Sequence, residues 1–155
     1  MGFARALAVQ SLDEFDPKWR LLGLDVGDKT IGLAVGDATL GIATPLETVG
    51  RTKFTADAIR LFALIEEREI GALVIGLPIN MDGSEGPRCQ SVRQFAANLM
   101  TRREIPIAFW DERLSTAAVT RAMIEADVSR KKRAAAVDKL AAAYILQGAL
   151  DFLRR

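Results

Sequence analysis

LLGLDVGDKTIGLAVGD, residues 21–37, is the stretch that decides the fold of this 155-residue chain. Two apolar runs rich in Leu, Ile and Val flank the turn-forming segment GDKT, a pattern that predicts two short strands joined by a hairpin. A third run with threonine and valine follows after a short gap, at residues 42–49. We therefore expect an antiparallel meander of three strands at residues 20–26, 31–36 and 42–49.

The pattern changes after residue 50. Apolar residues recur at helical spacing over residues 55–68, and the continuous apolar run at 72–77 is typical of a strand buried on both faces. A turn-rich loop at 78–86, a helix at 87–103 and a strand at 106–110 follow. Ser115 is expected to cap a helix that extends to about residue 126. A basic loop at 127–133 and an alanine-rich helix at 134–153 complete the chain.

This order of elements predicts one α/β domain over residues 20–155, with a mixed five-stranded sheet flanked by helices. Residues 1–19 are interpreted as an N-terminal appendage. The longest apolar run, residues 72–79, has 8 residues with a glycine and a proline, so neither a membrane span nor a membrane partner is expected. No export signal is recognised, and a single thiol fits the reducing cytoplasm.

The composition excludes several classes of site. The chain has no histidine and one cysteine, Cys89, which removes Ser-His and Cys-His hydrolases, His-ligated metals, CxxC sites and internal disulfides. The formal net charge is only +1. Any catalysis must therefore rest on carboxylates, hydroxyls, Lys, Arg or a hard metal ion.

Carboxylates at three places need an explanation. Asp25 lies in an apolar strand, where an uncompensated charge costs about 2–7 kcal/mol or more. It either serves a site or caps the turn at Gly27. Asp111 and Glu112 follow the last strand and either face a site at the sheet edge or precede a helix whose dipole favours acids. Asp138 either points inward from the last helix or stabilises its first turn.

The three places together indicate a metal site, because clustered acids repel one another unless a cation lies among them. Mg²⁺ prefers such oxygen ligands, and two ions assist phosphodiester cleavage. Charge is unevenly distributed along the chain, and the C-terminal third is basic: residues 111–155 carry 9 basic and 6 acidic residues. The only basic run comprises Arg130, Lys131, Lys132 and Arg133. It is either a solvated loop or a segment that binds a nucleic-acid backbone.

Four blocks of this sequence resemble the YqgF family of RuvX-like Holliday junction resolvases. They are LGLDVGDKTIGLAVGD, ALVIGLPINMDGSEG, WDERLST and VDKLAAAYILQ, and they occur in the family's order over residues 22–147. The resemblance implies an RNase H-like fold and a cytoplasmic bacterial nuclease that uses Mg²⁺, with Mn²⁺ as a substitute. It implies that the protein matures the 5′ end of pre-16S ribosomal RNA or cuts branched DNA, either as a monomer or as a homodimer.

The family's site residues match single positions of this chain. The first-strand acid matches Asp25, the acid of the DER motif matches Glu112 with Asp111 as its neighbour, and the acid of the last helix matches Asp138. Four further residues are candidates for contact with nucleic acid, in addition to the basic run: Lys29, Thr30, Asn80 and Arg113.

Two other functions compete with this one. The first block also resembles the phosphate loop of sugar-kinase and actin-like ATPases, although 155 residues leave no room for their second nucleotide-binding half. The other competitor is a non-catalytic RNA-binding assembly factor. Convergence of Asp25, Glu112 and Asp138 would argue against that factor.

Overall fold

The computed structural model describes residues 9–114 and 130–155, with side chains from residue 139 onward in the second range. Its five strands are β1 (Arg20–Val26), β2 (Thr30–Asp37), β3 (Thr44–Gly50), β4 (Ile70–Leu77) and β5 (Ile107–Asp111). They form one sheet in the order β3-β2-β1-β4-β5. The three N-terminal strands pair antiparallel, whereas β1, β4 and β5 are parallel. The predicted mixed five-stranded sheet is confirmed.

Helices cover both faces of this sheet. The described α-helices are α1 (Phe54–Glu67), α2 (Pro87–Arg102) and α3 (Arg130–Leu153), with short 3₁₀ helices at Leu12–Glu14 and Glu112–Leu114. Large side chains of α1 and α2 share one core with β1, β2 and β4, while α3 packs on the opposite face. The two parallel crossovers explain this layering, because each βαβ unit must bury its helix against the sheet.

One prediction for the last helix is wrong. The sequence predicts a loop at residues 127–133, but Arg130, Lys131, Lys132 and Arg133 lie within α3. Arg, Lys and Ala are strong helix formers, and residues 130–136 contain neither Gly nor Pro, so the alanine-rich helix begins earlier than its apolar pattern indicates. The helix predicted from Ser115 lies outside the described residues.

Residues 9–19 pack against the sheet. Leu12 and Phe15 are buried with the residues that face α3, and the amide of Gln10 donates a 2.8 Å hydrogen bond to the carbonyl of Ile107 on β5. The division into an appendage and a domain remains a prediction, although this described part of residues 1–19 contributes to the core.

Among the helices of residues 9–114 and 130–155, none is both long and apolar enough to cross a membrane.

Candidate active site

The parallel strands end together at one edge of the sheet. β1, β4 and β5 all point their carboxyl ends to this edge, where the 27–29 turn, the 78–86 loop and the Glu112–Leu114 helix follow them. Ligand sites in sheets of this kind form where parallel strands end. Asp25 and Glu112 both lie at this edge, which is the arrangement that the sequence predicts.

Strand alternation sets the direction of Asp25. Leu22 and Leu24 pack with α1 and α2, whereas Leu21 packs with α3 and Gly23 lies under that helix. Because side chains alternate along a strand, Asp25 belongs to the α3 face together with Leu21 and Gly23. It is only 4% exposed. A carboxylate this deeply buried requires compensation, and the structure gives Asp25 a polar or electrostatic partner.

Glu112 reaches the same face across Gly76. A Cβ placed on Gly76 would lie 3.1 Å from Oε2 of Glu112, so the missing side chain is what makes room for this carboxylate. Leu24 pairs with Ile75 in the parallel ladder, which places Asp25 beside Gly76 on the neighbouring strand. Adjacent strands are about 4.8 Å apart. Asp25 and Glu112 therefore occupy neighbouring positions on one face of the sheet.

Helix α3 crosses this face in a direction that brings its N-terminal half toward Asp25. Leu150 lies against Gly36, which pairs with Leu21 at the start of β1, and Leu146 lies against Gly23 further along that strand. Residues nearer the N-terminus of α3 therefore lie nearer the carboxyl end of β1. Asp138 is one turn before Ala142, whose carbonyl oxygen would be 3.0 Å from a Cβ on Gly23.

The side chain of Asp138 lies outside the described residues, but its position within α3 still excludes one alternative. Because the helix begins at Arg130, Asp138 is more than two turns inside it. The helix dipole acts within the first turn, so it does not explain an acid at this position.

Asp111 has a different partner. The Arg113 guanidinium contacts its carboxylate, with Nη2 2.7 Å from Oδ2, and the backbone amide of Arg113 donates to Oδ1 at 2.9 Å. The side-chain hydrogen bonds from Arg113 lower the pKa of Asp111 below its ordinary value of 3.8. Asp111 also alternates with Trp110, which faces α3. The carboxylate of Asp111 therefore serves an ion pair.

The loop at residues 78–86 is ordered by its own side chains. Asn80 Nδ2 donates to Ser84 Oγ at 3.0 Å, and the amide and hydroxyl of Ser84 donate to Oδ1 of Asp82 at 2.9 and 2.5 Å. These bonds lower the pKa of Asp82, and Arg113 adds a smaller electrostatic contribution. A Cβ on Gly83 would be 3.6 Å from Nη1 of Arg113. Arg113 therefore lies close to the loop that carries Asn80.

Two of the other predicted contacts lie at the same edge. Lys29 is exposed on the turn that follows β1, and Thr30 opens β2. The basic residues 130–133 begin α3, and their side chains lie outside the described residues. Cys89 is buried in α2, and desolvation raises the pKa of its thiol, which agrees with a site that does not use sulfur.

Sequence reasoning missed the glycines of the α3 face. A Cβ on Gly76 would be 2.4 Å from Cδ1 of Ile145 in addition to its contact with Glu112, and a Cβ on Gly23 would be 2.8 Å from Cβ of Leu146. Glycine is unfavourable inside a strand and often marks a place where another group approaches closely. That signal was present in LGLDV and in VIGLP.

The donor set fits a hard divalent cation. Asp25 and Glu112 offer carboxylate oxygens, the ligands that Mg²⁺ and Mn²⁺ prefer. Among the described side chains, no group of three acidic, thiol or imidazole ligands is found, and Asp138 is not one of those side chains. The described part of the site therefore supplies two candidate ligands.

The sequence matches the family described as "RuvX: Holliday junction resolvase" over residues 19–152. Its curated relatives include proteins named "Putative pre-16S rRNA nuclease". The one from Paramagnetospirillum magneticum is 62% identical over 148 residues, 96% of this chain and 92% of the relative. The one from Ruegeria pomeroyi is 58% identical over 149 residues, 94% of this chain and 97% of the relative.

Two solved structures share the fold. Thermus thermophilus RuvC in complex with a Holliday junction substrate aligns with a TM-score of 0.54 at 13% identity, and covers 88% of this chain and 97% of that one. A second structure of T. thermophilus RuvC gives 0.53 at 14% identity, with 87% and 97% covered. At these identities the likeness establishes the fold alone, and it confirms the RNase H-like class.

Proposed function

This chain belongs to the RuvX family of Holliday junction resolvases, and on that premise we propose that it is a metal-dependent nuclease that processes the 5′ end of pre-16S ribosomal RNA. Membership makes it a hydrolase of phosphodiester bonds. The choice of RNA is supported by the names of relatives that are about as long as this chain. In bacteria this RNA is transcribed in the cytoplasm, which is the location that we propose.

One observation carries the proposed chemistry. The carboxylate of Glu112 extends over Gly76, beside the strand position of the buried Asp25. Two carboxylates on one face at a sheet edge are unfavourable unless a positive charge lies between or beside them. We propose that Asp25, Glu112 and Asp138 hold Mg²⁺, with Mn²⁺ as a substitute, and that Asp111 is the less favoured ligand because Arg113 contacts it.

When bound, such ions supply charge neutralisation for the scissile phosphate and lower the pKa of water. The residues of the chain position the carboxylates that would hold these ions. The central strand β1 fixes Asp25, and Gly76 leaves room for Glu112 beside it. A protein base is not part of the proposal, since the chain has no histidine and its one thiol is buried.

We propose that the substrate backbone lies along the carboxyl edge of the sheet, where charged and polar groups are available on several loops. Contacts to phosphate fix the position of a nucleic acid but carry little sequence information. The proposed contacts are Lys29, Thr30, Asn80, Arg113 and the basic residues Arg130, Lys131, Lys132 and Arg133.

The test is a cleavage assay on two labelled substrates, a precursor 16S rRNA fragment and a synthetic four-way DNA junction. Each is incubated with Mg²⁺, with Mn²⁺ and with EDTA. We expect cleavage of the RNA near the mature 5′ end with either ion and none in EDTA. Cleavage that persists in EDTA would contradict metal dependence.

A second candidate is a nuclease for branched DNA, which the family description favours. Cleavage of the junction without cleavage of the RNA would support it. This candidate includes a homodimer, because two symmetric cuts in a junction require two sites. Light scattering after size-exclusion chromatography tests the dimer. Tight RNA binding without cleavage of either substrate would instead support a non-catalytic assembly factor.

A further inference from the structure

Arg51, directly after β3, holds the turn that follows β1. Its Nη1 donates a 2.7 Å hydrogen bond to the carbonyl of Gly27. Its backbone amide donates a 2.8 Å bond to the carbonyl of Lys29. These two carbonyls flank Asp28, and inside the turn the Gly27 amide donates to Thr30 at 2.9 Å. Arg51 therefore fastens the GDKT turn on both sides of its tip.

The guanidinium of Arg51 is itself held in place. Its carbon lies 5.3 Å from the centroid of the Phe95 ring on α2, and its Nε lies 3.9 Å from Oδ2 of Asp57 on α1. Asp57 is only 3% exposed, and its Oδ1 accepts a 3.1 Å hydrogen bond from the Thr52 amide. A buried carboxylate needs such partners to offset its desolvation. Arg51 thus connects the exposed turn to two helices of the core.

The turn lies next to the candidate active site. Gly27 is two residues after Asp25, and Lys29 is exposed at the same edge. An exposed turn without external bonds samples open conformations readily, since few buried contacts hold it. The bonds from Arg51 restrict that freedom and fix where the backbone of Lys29 lies relative to Asp25.

We propose that Arg51 is a positioning residue of the active site, which acts by holding the GDKT turn so that Lys29 meets the phosphate backbone of the substrate. The inference rests on the proposed nuclease function and adds a residue that lies outside the four sequence blocks of the family resemblance. Arg51 acts through the turn and makes no contact with the substrate itself.

The first measurement is amide hydrogen exchange of the intact protein. Arg51→Met removes the bond to Gly27 and the contacts to Asp57 and Phe95. We expect exchange at the Gly27 amide, which donates to Thr30, to accelerate about tenfold, the effect of one charge-assisted hydrogen bond. Arg51→Lys retains a cation and a donor, so exchange should return toward the wild-type rate. The matched control is Arg60→Met, which removes an arginine that pairs with Glu47 at 2.8 Å and leaves the turn alone.

The second measurement separates positioning from general stability by a double-mutant cycle. Binding of a labelled precursor rRNA fragment is titrated in EDTA, where cleavage is not expected. Arg51→Met should weaken binding several-fold in the wild-type background and have no further effect in the Lys29→Ala background, because both changes remove the same contact.

Each result decides the proposal. Unchanged exchange in Arg51→Met, or equal losses of affinity in both backgrounds, would overturn it. If Arg51→Met does not fold, Arg51→Gln provides the same two readouts, because it removes the charge and shortens the side chain but keeps a polar group beside Asp57. Failure of the proposed function is seen separately in the wild-type protein, which would then leave the precursor rRNA uncleaved with Mg²⁺ and with Mn²⁺, whatever the two Arg51 measurements show.

Discussion

The two faces of the sheet are built from the same strands but differ in what they bury. On the face toward α1 and α2, the strands present large aliphatic side chains such as Leu22, Leu24 and Ile75. On the face toward α3, the same strands present Gly23, Gly76 and the carboxylate of Asp25. Alternation along each strand separates the two sets.

The difference shows how a small domain combines stability with a charged site. Large branched residues fill the face of α1 and α2, and their burial stabilises the fold. Glycine and alanine between the other face and α3 let the helix approach the sheet closely. At Gly148 of α3, for example, a Cβ would be 2.7 Å from Cζ2 of Trp110 on β5. Close approach of this helix brings the segment that carries Asp138 toward the strand that carries Asp25.

The strongest test of this comparison is Asp25→Asn. The change removes one negative charge but keeps the shape, so we expect cleavage to fall by more than about a hundredfold, since even indirect support of a metal ligand is worth about 10–100-fold. Circular dichroism and urea unfolding should show an intact fold. Asp37→Asn, at the opposite edge of the sheet, is the matched control and should cleave normally. Wild-type rates for Asp25→Asn would mean that the α3 face is packing surface only.

A second test compares neighbours on opposite faces of β4. Gly76→Ala places a methyl group 3.1 Å from Oε2 of Glu112 and 2.4 Å from Cδ1 of Ile145. We expect the cleavage rate to fall about 10–100-fold, because small displacements of reacting groups are costly, with a loss of about 1–3 kcal/mol in unfolding free energy from overpacking. Ile75→Val should cost about 0.5–1.5 kcal/mol and leave the rate unchanged. Equal rates for the two variants would remove the distinction between the faces.

The basic start of α3 provides a third test, on substrate affinity. Replacing Arg130, Lys131, Lys132 and Arg133 with Ser should weaken binding about equally for different RNA sequences. The slope of log affinity against log salt should flatten by roughly 0.7–0.9 for each phosphate that the variant no longer neutralises.

The control for this test removes the same charge away from the site edge. It replaces four arginines with Ser: Arg60, Arg103, Arg154 and Arg155. Binding titrations at several salt concentrations compare the two variants. Superimposable salt slopes for wild type and the α3 variant would show that the basic run is a solvated surface.

The smallest expected effect concerns Asp111, the acid at the site edge that is engaged by Arg113. Because the pKa of Asp111 is lowered in the folded protein, its ion pair stabilises the fold above the ordinary value of 3.8 and is lost as the pH falls through the folded pKa. Arg113→Gln should therefore slightly reduce the free energy of unfolding at pH 6. Below the folded pKa of Asp111, the variant and the wild-type protein should have the same free energy of unfolding. Urea unfolding from pH 6 downward measures the difference, and a difference that grows toward low pH would contradict the assignment.

Much of this architecture could be predicted from local patterns. Continuous apolar runs and turn formers predict all five strands, and β1 begins and ends where expected, at Arg20 and Val26. The start of α3 is predicted too late, because its first turn is basic and carries no apolar period. For the site, the residue pattern leaves Asp111 and Glu112 open, and the family resemblance selects Glu112.

The amino-acid sequence by itself determined the order of strands and helices and the absence of imidazole chemistry, because hydrophobic period and turn chemistry are local properties and the lack of histidine is a matter of composition. Only the tertiary structure decided that Arg113 contacts Asp111, that Gly76 makes room for Glu112, and that Arg51 holds the turn beside Asp25. The last two of these contacts join residues at least 24 positions apart. Spacing along the chain carries no signal for such contacts, which exist only once the strands and helices have packed.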